Sequence, residues 1–196
     1  MSRLTSHFTQ LTSARLRPLV ASDAASIAEH ANDRRVWRNL RDRFPHPYSE
    51  RDALDFITLF ASRSPCLHFG IEVDDAVVGV IGLEPKSDVE RNGAEVGCWI
   101  GPHYWGRGIA TEALRAVTAY GHRELGLLRV FALAFAWNRA SIRVLEKADF
   151  VFEGCMRAAI VKDGEIVDAL MHAHVQLPDG QVPDGQLPPS RPPPFS

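Results

Sequence analysis

A short turn between a predicted strand and a predicted helix carries residue types that can bind a phosphate group. The turn, Gly106-Arg107-Gly108, follows a strand at 94–100 and precedes a helix with Ala110, Ala113, Leu114 and Val117 on one face. The first turn of a helix has backbone N–H groups without intrahelical partners, and the helix dipole makes this end positive. Because glycine lets the backbone approach a ligand and Arg107 adds a positive charge, the turn is a candidate pyrophosphate site. A plain strand-to-helix connection gives the same pattern.

Two better-known nucleotide motifs do not fit this turn. A Walker A loop requires Gly-Lys-Ser or Gly-Lys-Thr, and the sequence contains neither. A dinucleotide fingerprint requires a third glycine and a carboxylate at the end of the next strand, and the strand predicted at 129–136 has no carboxylate. The turn is therefore neither a Walker A loop nor a dinucleotide fingerprint.

The elements that position this turn follow from hydrophobic periodicity and turn residues. Helices are predicted after Ser22, Ser49, Gly108 and Asn138, each a residue that can cap or open a helix. A turn at 162–164 separates the last two strands. Strands are predicted at 16–20, 67–73, 77–83, 94–100, 129–136, 150–161 and 165–175, the second of them half-buried. This order predicts an α/β (α+β) fold with a mixed, mostly antiparallel sheet and helices on both faces.

Composition divides the chain of 196 residues into a domain and two flanking segments. Residues 1–13 are predicted to be an N-terminal extension and 14–176 the domain. Residues 177–196 repeat Pro-Asp-Gly-Gln and end in a proline-rich run, which indicates a low-complexity tail. This tail is either inert or a ligand for a proline-recognition module.

Charge and hydropathy exclude several classes of function. A formal net charge of −2 gives no overall attraction to nucleic acid or to an anionic membrane. No stretch approaches the roughly 20 apolar residues of a membrane span, so a cytoplasmic protein is expected. No metal site is expected, because the three cysteines are far apart and His172 and His174 lack a third ligand. The cysteines are expected to be buried, and His122 has no visible partner.

Several segments resemble the GNAT superfamily of N-acetyltransferases. The run Trp105-Gly106-Arg107-Gly108-Ile109-Ala110 is similar to the family's Gln/Arg-x-x-Gly-x-Gly/Ala motif, with Trp105 in place of Gln or Arg. The segments 39–49, 112–114 and 138–150 resemble the ribosomal-protein N-terminal acetyltransferase (RimJ/RimL-like) branch in the same order. Asp149 replaces a usual glycine, and aspartate tolerates a left-handed backbone.

The resemblance implies a GNAT fold that transfers the acetyl group of acetyl-CoA to a primary amine. It places CoA on the backbone and side chains of Trp99, Ile100, Gly106, Arg107, Gly108, Ile109, Ala110, Thr111 and Asn138. The amides at 106–111 would hold the pyrophosphate, and the strand at 99–100 would pair with the pantetheine arm. Asn138 also reads as a helix N-cap.

The resemblance also assigns two catalytic residues. Glu95 stands where a family glutamate acts as general base, and a salt-bridged strand glutamate is its alternative. Ser141 is a candidate donor of a proton to the leaving thiolate, or a plain surface serine. Many family members use a tyrosine where this chain has Leu145.

The acceptor is left open as a protein N-terminus or a small-molecule amine, in a monomer or homodimer. At about pH 7, deprotonating a lysine amine costs about 4.6 kcal/mol, against about 1 kcal/mol for an α-amine. We expect the segment 37–48 and the turn near Asp163 to line the acceptor pocket, and the amine to attack directly without an acetyl-enzyme intermediate. A GNAT-fold sensor of acyl-CoA and an interaction role for the tail are the alternatives.

Overall fold

The computed structural model describes residues 9–61 and 65–178. Within these ranges the strands are β1 Thr9–Gln10, β2 Arg15–Pro18, β3 His68–Val73, β4 Ala76–Pro85, β5 Gly93–Ile100, β6 Arg129–Phe135, β7 Val151–Lys162 and β8 Glu165–Val175. The α-helices are α1 Ala24–Ala31, α2 Arg34–Trp37, α3 Glu50–Ala61, α4 Ile109–Glu124 and α5 Arg139–Lys147. Most of the predicted tail, and residues 1–8 of the predicted extension, lie outside the described residues. None of the described helices is long and apolar enough to cross a bilayer.

The strands form one mixed sheet in the order β1-β2-β3-β4-β5-β6-β8-β7. The pairs β1–β2, β2–β3, β3–β4, β6–β8 and β7–β8 are antiparallel, and β5–β6 is parallel. The predicted mixed, mostly antiparallel sheet is therefore confirmed. The short strand β1, which pairs Thr9 with Leu16, was not predicted, because two residues carry no periodic pattern.

The described chain divides into two compact units. The first holds the residues up to Leu83 together with Gly97–Val117, and the second holds Glu84–Val96 and the residues from Thr118 onward. The predicted domain limits of 14 and 176 stay a prediction.

In the first unit, α1 and α3 pack against the sheet through an apolar core. Its buried members are Leu19, Ala24, Ile27, Ala31, Tyr48, Ala53, Ile57, Val77 and Val80, with Phe44 and Trp99 partly buried against them. Ser49 caps α3 as predicted: its hydroxyl accepts from the Asp52 amide, and the Asp52 carboxylate accepts from the Ser49 amide.

An ion network lies at the start of the first unit. Glu72 on β3 accepts hydrogen bonds from Arg15 and Arg17 on β2, and its side chain is 8% exposed. Arg17 also pairs with both oxygens of Asp23 at 2.8 and 2.7 Å. Two buried carboxylates are thus compensated by charged donors, as burial of an ion requires.

The second unit contains the β7–β8 hairpin and α5. The predicted turn is present, with Asp163 at φ 56° and Gly164 at φ 79°. Asp149, after α5, has φ 65°, and the Phe150 amide donates to the Leu145 carbonyl at 3.0 Å, which closes the helix. The prediction that aspartate would accept this left-handed position is confirmed.

Two local predictions were wrong. Ser22 does not cap α1; it lies in a 3₁₀ turn, Ala21–Asp23, and the Asp23 carboxylate accepts from the Val20 amide instead. Strand β3 is not half-buried, since all six of its residues are buried. Its polar members, His68 and Glu72, find partners inside the fold, which alternation in the sequence cannot reveal.

Candidate active site

The glycine loop, residues 105–108, has the geometry of an anion site. Gly106 has φ +75° and Gly108 has φ +81°, and a methyl group added at either would meet no heavy atom within 4 Å. The amides of Thr111 and Glu112 both donate to the Gly108 carbonyl, at 3.0 and 3.1 Å. Within the described chain, the amides from Gly106 to Ala110 therefore precede the first hydrogen bond of α4. This arrangement fits a pyrophosphate.

Trp105 ties the glycine loop to the end of β5. Its indole Nε1–H donates to the Ile100 carbonyl at 2.7 Å. The Arg35 guanidinium lies 5.7 Å from the centre of the Trp105 ring. The family position that usually carries Gln or Arg is therefore occupied by a side chain that fixes the loop rather than one that reaches into it.

Strand β4 holds the end of β5 at close range. A methyl group at Gly79 would lie 2.4 Å from the Trp99 carbonyl oxygen, so only glycine fits there. The Gly101 amide donates to the Val78 carbonyl at 2.8 Å. The backbone at Trp99 and Ile100, which we expect to pair with the pantetheine arm, is thus fixed in place.

Residues of α1 and of the N-terminal segment contact the chain just before and just after the glycine loop. The His30 ring packs edge-to-face on Tyr104 at 5.4 Å, and a methyl group at Gly101 would lie 3.0 Å from His30 Cβ. The Arg107 guanidinium lies 5.4 Å from the Tyr104 ring. The Thr12 amide donates to Glu112 Oε2 at 2.7 Å. The contacts of Thr12, His30 and Tyr104 were not predicted, because no local pattern in the sequence signals a contact between distant segments.

Glu95 lies on β5 and is paired with a lysine. Its Oε2 lies 3.3 Å from Lys86 Nζ, and the Glu95 side chain is 14% exposed. The Lys86 ammonium also lies 5.2 Å from the Phe131 ring. The salt-bridged glutamate considered from the sequence is thus present. This pairing holds the carboxylate in position, and its role as base stays a prediction.

The parallel ladder between β5 and β6 is short. It pairs Gly93, Ala94 and Glu95 with Arg129, Val130 and Phe131, although β5 has eight residues and β6 has seven. Glu95 is therefore the last β5 residue in the described ladder with β6.

Asn138 caps α5, as the sequence predicts. Its Oδ1 accepts from the Ser141 amide at 3.1 Å, which brings these two candidate residues together. Leu145, one turn further, is 3% exposed and is part of the buried interior. The role of Ser141 as general acid stays a prediction.

Each of the three thiols has a raised pKa. Burial raises the pKa of the Cys98 thiol to about 12 and raises that of Cys66. Desolvation and the neighbouring Asp168 raise the pKa of Cys155. The expectation that the cysteines are buried was wrong, since Cys66 and Cys98 are half-buried and Cys155 is exposed on β7. A thiolate is the reactive form of cysteine, so a raised pKa disfavours an acetyl-cysteine intermediate.

His122 has two partners that the sequence did not reveal. Its Nδ1 lies 2.7 Å from the Leu127 carbonyl oxygen, and its Nε2 lies 3.0 Å from His174 Nδ1. Burial and the neighbouring His122 lower the pKa of His174. His172 is buried, 1% exposed, and packs on Phe152. Among the described residues, no group of three or more metal-ligating side chains comes together.

Comparison with known proteins decides the family. A family model described as an acetyltransferase (GNAT) domain matches residues 14–151, well over half of the chain. The chain belongs to the GNAT acetyltransferase family. It is an acetyl-CoA-dependent acyltransferase.

Relatives of this GNAT acetyltransferase come from several branches of the family. It is 33% identical to the uncharacterised N-acetyltransferase YoaA of Bacillus subtilis over 133 residues, which cover 65% of this chain and 75% of that protein. It is 27% identical to the spermidine N(1)-acetyltransferase of Escherichia coli over 164 residues, with 81% and 83% covered. These relatives support N-acetyltransferase activity without deciding the acceptor.

Solved structures confirm the GNAT fold. An acetyltransferase of this family from Bacillus anthracis superposes with a TM-score of 0.74 at 24% identity, covering 86% of this chain and 98% of that one. RimL, a ribosomal L7/L12 α-N-protein acetyltransferase in complex with coenzyme A, superposes with a TM-score of 0.75 at 21% identity, covering 86% and 98%. At these identities the likeness concerns the fold.

Proposed function

We propose that this enzyme transfers the acetyl group of acetyl-CoA to a primary amine of a protein N-terminus or a small molecule. The observation that carries the proposal is the glycine loop: two glycines at positive φ present amides that precede the first hydrogen bond of α4. Such amides, at the positive end of a helix of 16 residues, are suited to the CoA pyrophosphate.

The residues proposed to hold CoA are those of the glycine loop and its neighbours. The amides of Gly106 to Ala110 bind the pyrophosphate, with Arg107 as a neighbouring cation, while the Thr111 amide is already used by the Gly108 carbonyl. The β5 backbone at Trp99 and Ile100 pairs with the pantetheine arm. Asn138 binds CoA through its amide group while its Oδ1 caps α5.

The amine attacks the thioester directly in this proposal. Glu95 takes the proton that the amine loses, and Ser141 donates one to the departing thiolate. The raised pKa values of Cys66, Cys98 and Cys155 support this route, because they disfavour a cysteine acetylated as an intermediate. The segment 37–48 supplies the acceptor side of the site.

The RimJ/RimL-like branch is the finer assignment that we propose. It is supported by the sequence resemblance of segments 39–49 and 138–150, and by Trp105 at the motif position. The domain proposed to carry the activity is 14–176, which contains the matched residues 14–151.

An acceptor screen tests the proposal. Pure protein is mixed with acetyl-CoA and a panel of peptides and small amines, and a thiol reagent detects released CoA. We expect at least one amine to give amine-dependent CoA release, and calorimetry to show CoA binding. Binding without any release would instead identify a sensor of acyl-CoA, and no binding at all would contradict the proposal for the glycine loop.

A further inference from the structure

A dense group of arginines occupies one exposed segment of the first unit. The arginine segment, residues 34–43, contains five arginines and a single carboxylate, Asp42, in a chain whose formal net charge is −2. All five arginines are exposed: Arg34, Arg35, Arg38, Arg41 and Arg43. The positive charge is thus concentrated locally, which creates an electrostatic field that acts on approaching ligands.

The start of the arginine segment is held in a defined geometry. Asp33 caps α2 by accepting from the Arg35 amide at 2.7 Å, and its carboxylate also pairs with the Arg35 guanidinium at 2.7 Å. That guanidinium lies 5.7 Å from the Trp105 ring, at the glycine loop. The segment therefore begins against the proposed CoA site.

The residues that follow the arginine segment reach the other part of that site. The Phe44 ring contacts the Trp99 ring at a centroid distance of 5.8 Å and stacks on Tyr48 at 4.6 Å. Trp99 lies on the part of β5 proposed to pair with the pantetheine arm, which carries the thioester. An amine that approaches the thioester beside Phe44 therefore enters a field set by these arginines.

The chemistry of guanidinium groups indicates what such an amine carries. Arginine binds carboxylates with two parallel hydrogen bonds and is weakly hydrated, so it is well suited to recognising acidic side chains. Arg35 is already paired with Asp33, so the positive charge of the segment comes from its four other arginines. Four guanidiniums along ten residues match several carboxylates spread along a chain better than one anionic group on a small molecule. The same charges repel a polyamine, whose ammonium groups are all positive.

We propose that the acceptor is the α-amine of a protein N-terminus whose next residues are rich in Asp and Glu. This inference rests on the proposed acetyl transfer and names its substrate class. An α-amine also has a low cost of deprotonation, about 1 kcal/mol near pH 7, which suits a site whose candidate base is already paired with Lys86.

Three peptides of equal length with the same first residue test the inference with the full chain. They carry acidic, neutral or basic residues at the following positions, and spermidine is included as a small polycation. CoA release gives kcat/KM for each at low and high salt. We expect the acidic peptide to exceed the basic one by at least about tenfold at low salt, and the ratio to shrink as salt screens the charges.

A double variant, Arg38→Ala with Arg41→Ala, locates the effect in the arginine segment. We expect it to lower kcat/KM for the acidic peptide by about tenfold, mainly through KM, to lower that for the neutral peptide much less, and to leave the CoA affinity unchanged. Arg51→Ala is the matched control, because Arg51 is an arginine on α3 whose side chain is 81% exposed. The kcat/KM of this control variant for the acidic peptide should equal that of the wild type.

The outcomes separate this inference from the proposed function. Equal or faster acetylation of the basic peptide or spermidine would overturn the inference and leave acetyl transfer intact. An unchanged preference in the double variant would likewise overturn it, provided that thermal melting shows the variant to be folded. Release of CoA only from an acidic peptide with a blocked N-terminus and a free lysine would reject the α-amine. Absence of CoA release with every acceptor would contradict acetyl transfer itself.

Discussion

The indole of Trp105 donates a hydrogen bond of 2.7 Å to the carbonyl oxygen of Ile100. This bond joins the first residue of the glycine loop to the last residue of β5, the two backbone segments proposed to hold CoA. Trp105 itself is 48% exposed, so its side chain does not fill a core. Its contribution is to fix the position of the loop through this hydrogen bond.

Removing this bond should weaken CoA binding. In Trp105→Phe the ring remains but the donor is lost, and a hydrogen bond of this kind contributes about 1 kcal/mol. We expect the Kd for CoA, measured by calorimetry, to rise roughly fivefold. Trp37→Phe, which changes a tryptophan in α2, should leave the Kd unchanged. An equal Kd in both variants would show that the Trp105 bond does not order the loop.

The glycine loop should be sensitive to a side chain at Gly108. Its φ of +81° is strained for any L-residue, at about 1–2 kcal/mol. We expect Gly108→Ala to lower the melting temperature and to raise the Kd for CoA. Gly126→Ala is the matched control: its φ is +66° and it too has open space at Cβ. It should lower the melting temperature similarly without affecting CoA. If both variants bind CoA normally, the loop is not the pyrophosphate site.

Glu95→Gln should lower the rate of acetyl transfer without changing CoA affinity. General base catalysis contributes about 10²–10⁴-fold, and less where the amine loses its proton readily. We expect kcat near pH 7 to fall at least about tenfold with an α-amine, and further with a lysine amine of pKa about 10.4. The loss should diminish as the pH rises towards the pKa of the amine.

The control for the Glu95 variant is Glu90→Gln, because Glu90 is exposed in a 3₁₀ turn shortly before β5. Its rates should match the wild type across the pH range. Identical pH profiles for the two variants would remove Glu95 from the mechanism and leave it as the partner of Lys86.

Because of Glu72, the free energy of unfolding should depend on pH in the acidic range. Although burial acts to raise the pKa of Glu72, the hydrogen bonds from Arg17 and Arg15 lower it. A carboxylate whose folded pKa is lowered stabilises the fold fully above its unfolded pKa of about 4.3, and this contribution is lost as the pH falls through the folded value.

Glu72→Gln removes this contribution and leaves Arg17 without one of its buried partners. We expect the free energy of unfolding at neutral pH, from urea titrations, to fall by about 3 kcal/mol. As the pH falls from the unfolded pKa through the lower folded pKa, the free energies of unfolding of the wild type and the variant should converge. Asp55→Asn is the control, because the pair of Asp55 with Arg51 is exposed and should contribute less than about 1 kcal/mol. A loss in Glu72→Gln no larger than this would contradict the role of the network.

The sequence by itself determined the local features of this protein. The glycine loop before α4, the caps at Ser49 and Asn138, and the left-handed positions at Asp149 and Gly164 lie where the sequence predicts them. These features depend on backbone hydrogen bonds and φ preferences within about four residues, so a short stretch of sequence contains the information. The mixed sheet followed from the order of these elements.

Only the tertiary structure decided which distant residues meet. The pairing of Glu95 with Lys86, the packing of Arg35 on Trp105 and the contact of His122 with His174 have no signature in the spacing of the residues. A side chain on a strand or helix has many possible neighbours, and the burial of apolar surface elsewhere selects among them. For this reason the sequence predicts a phosphate site in the loop, whereas the position of Arg35 beside Trp105 comes from the fold.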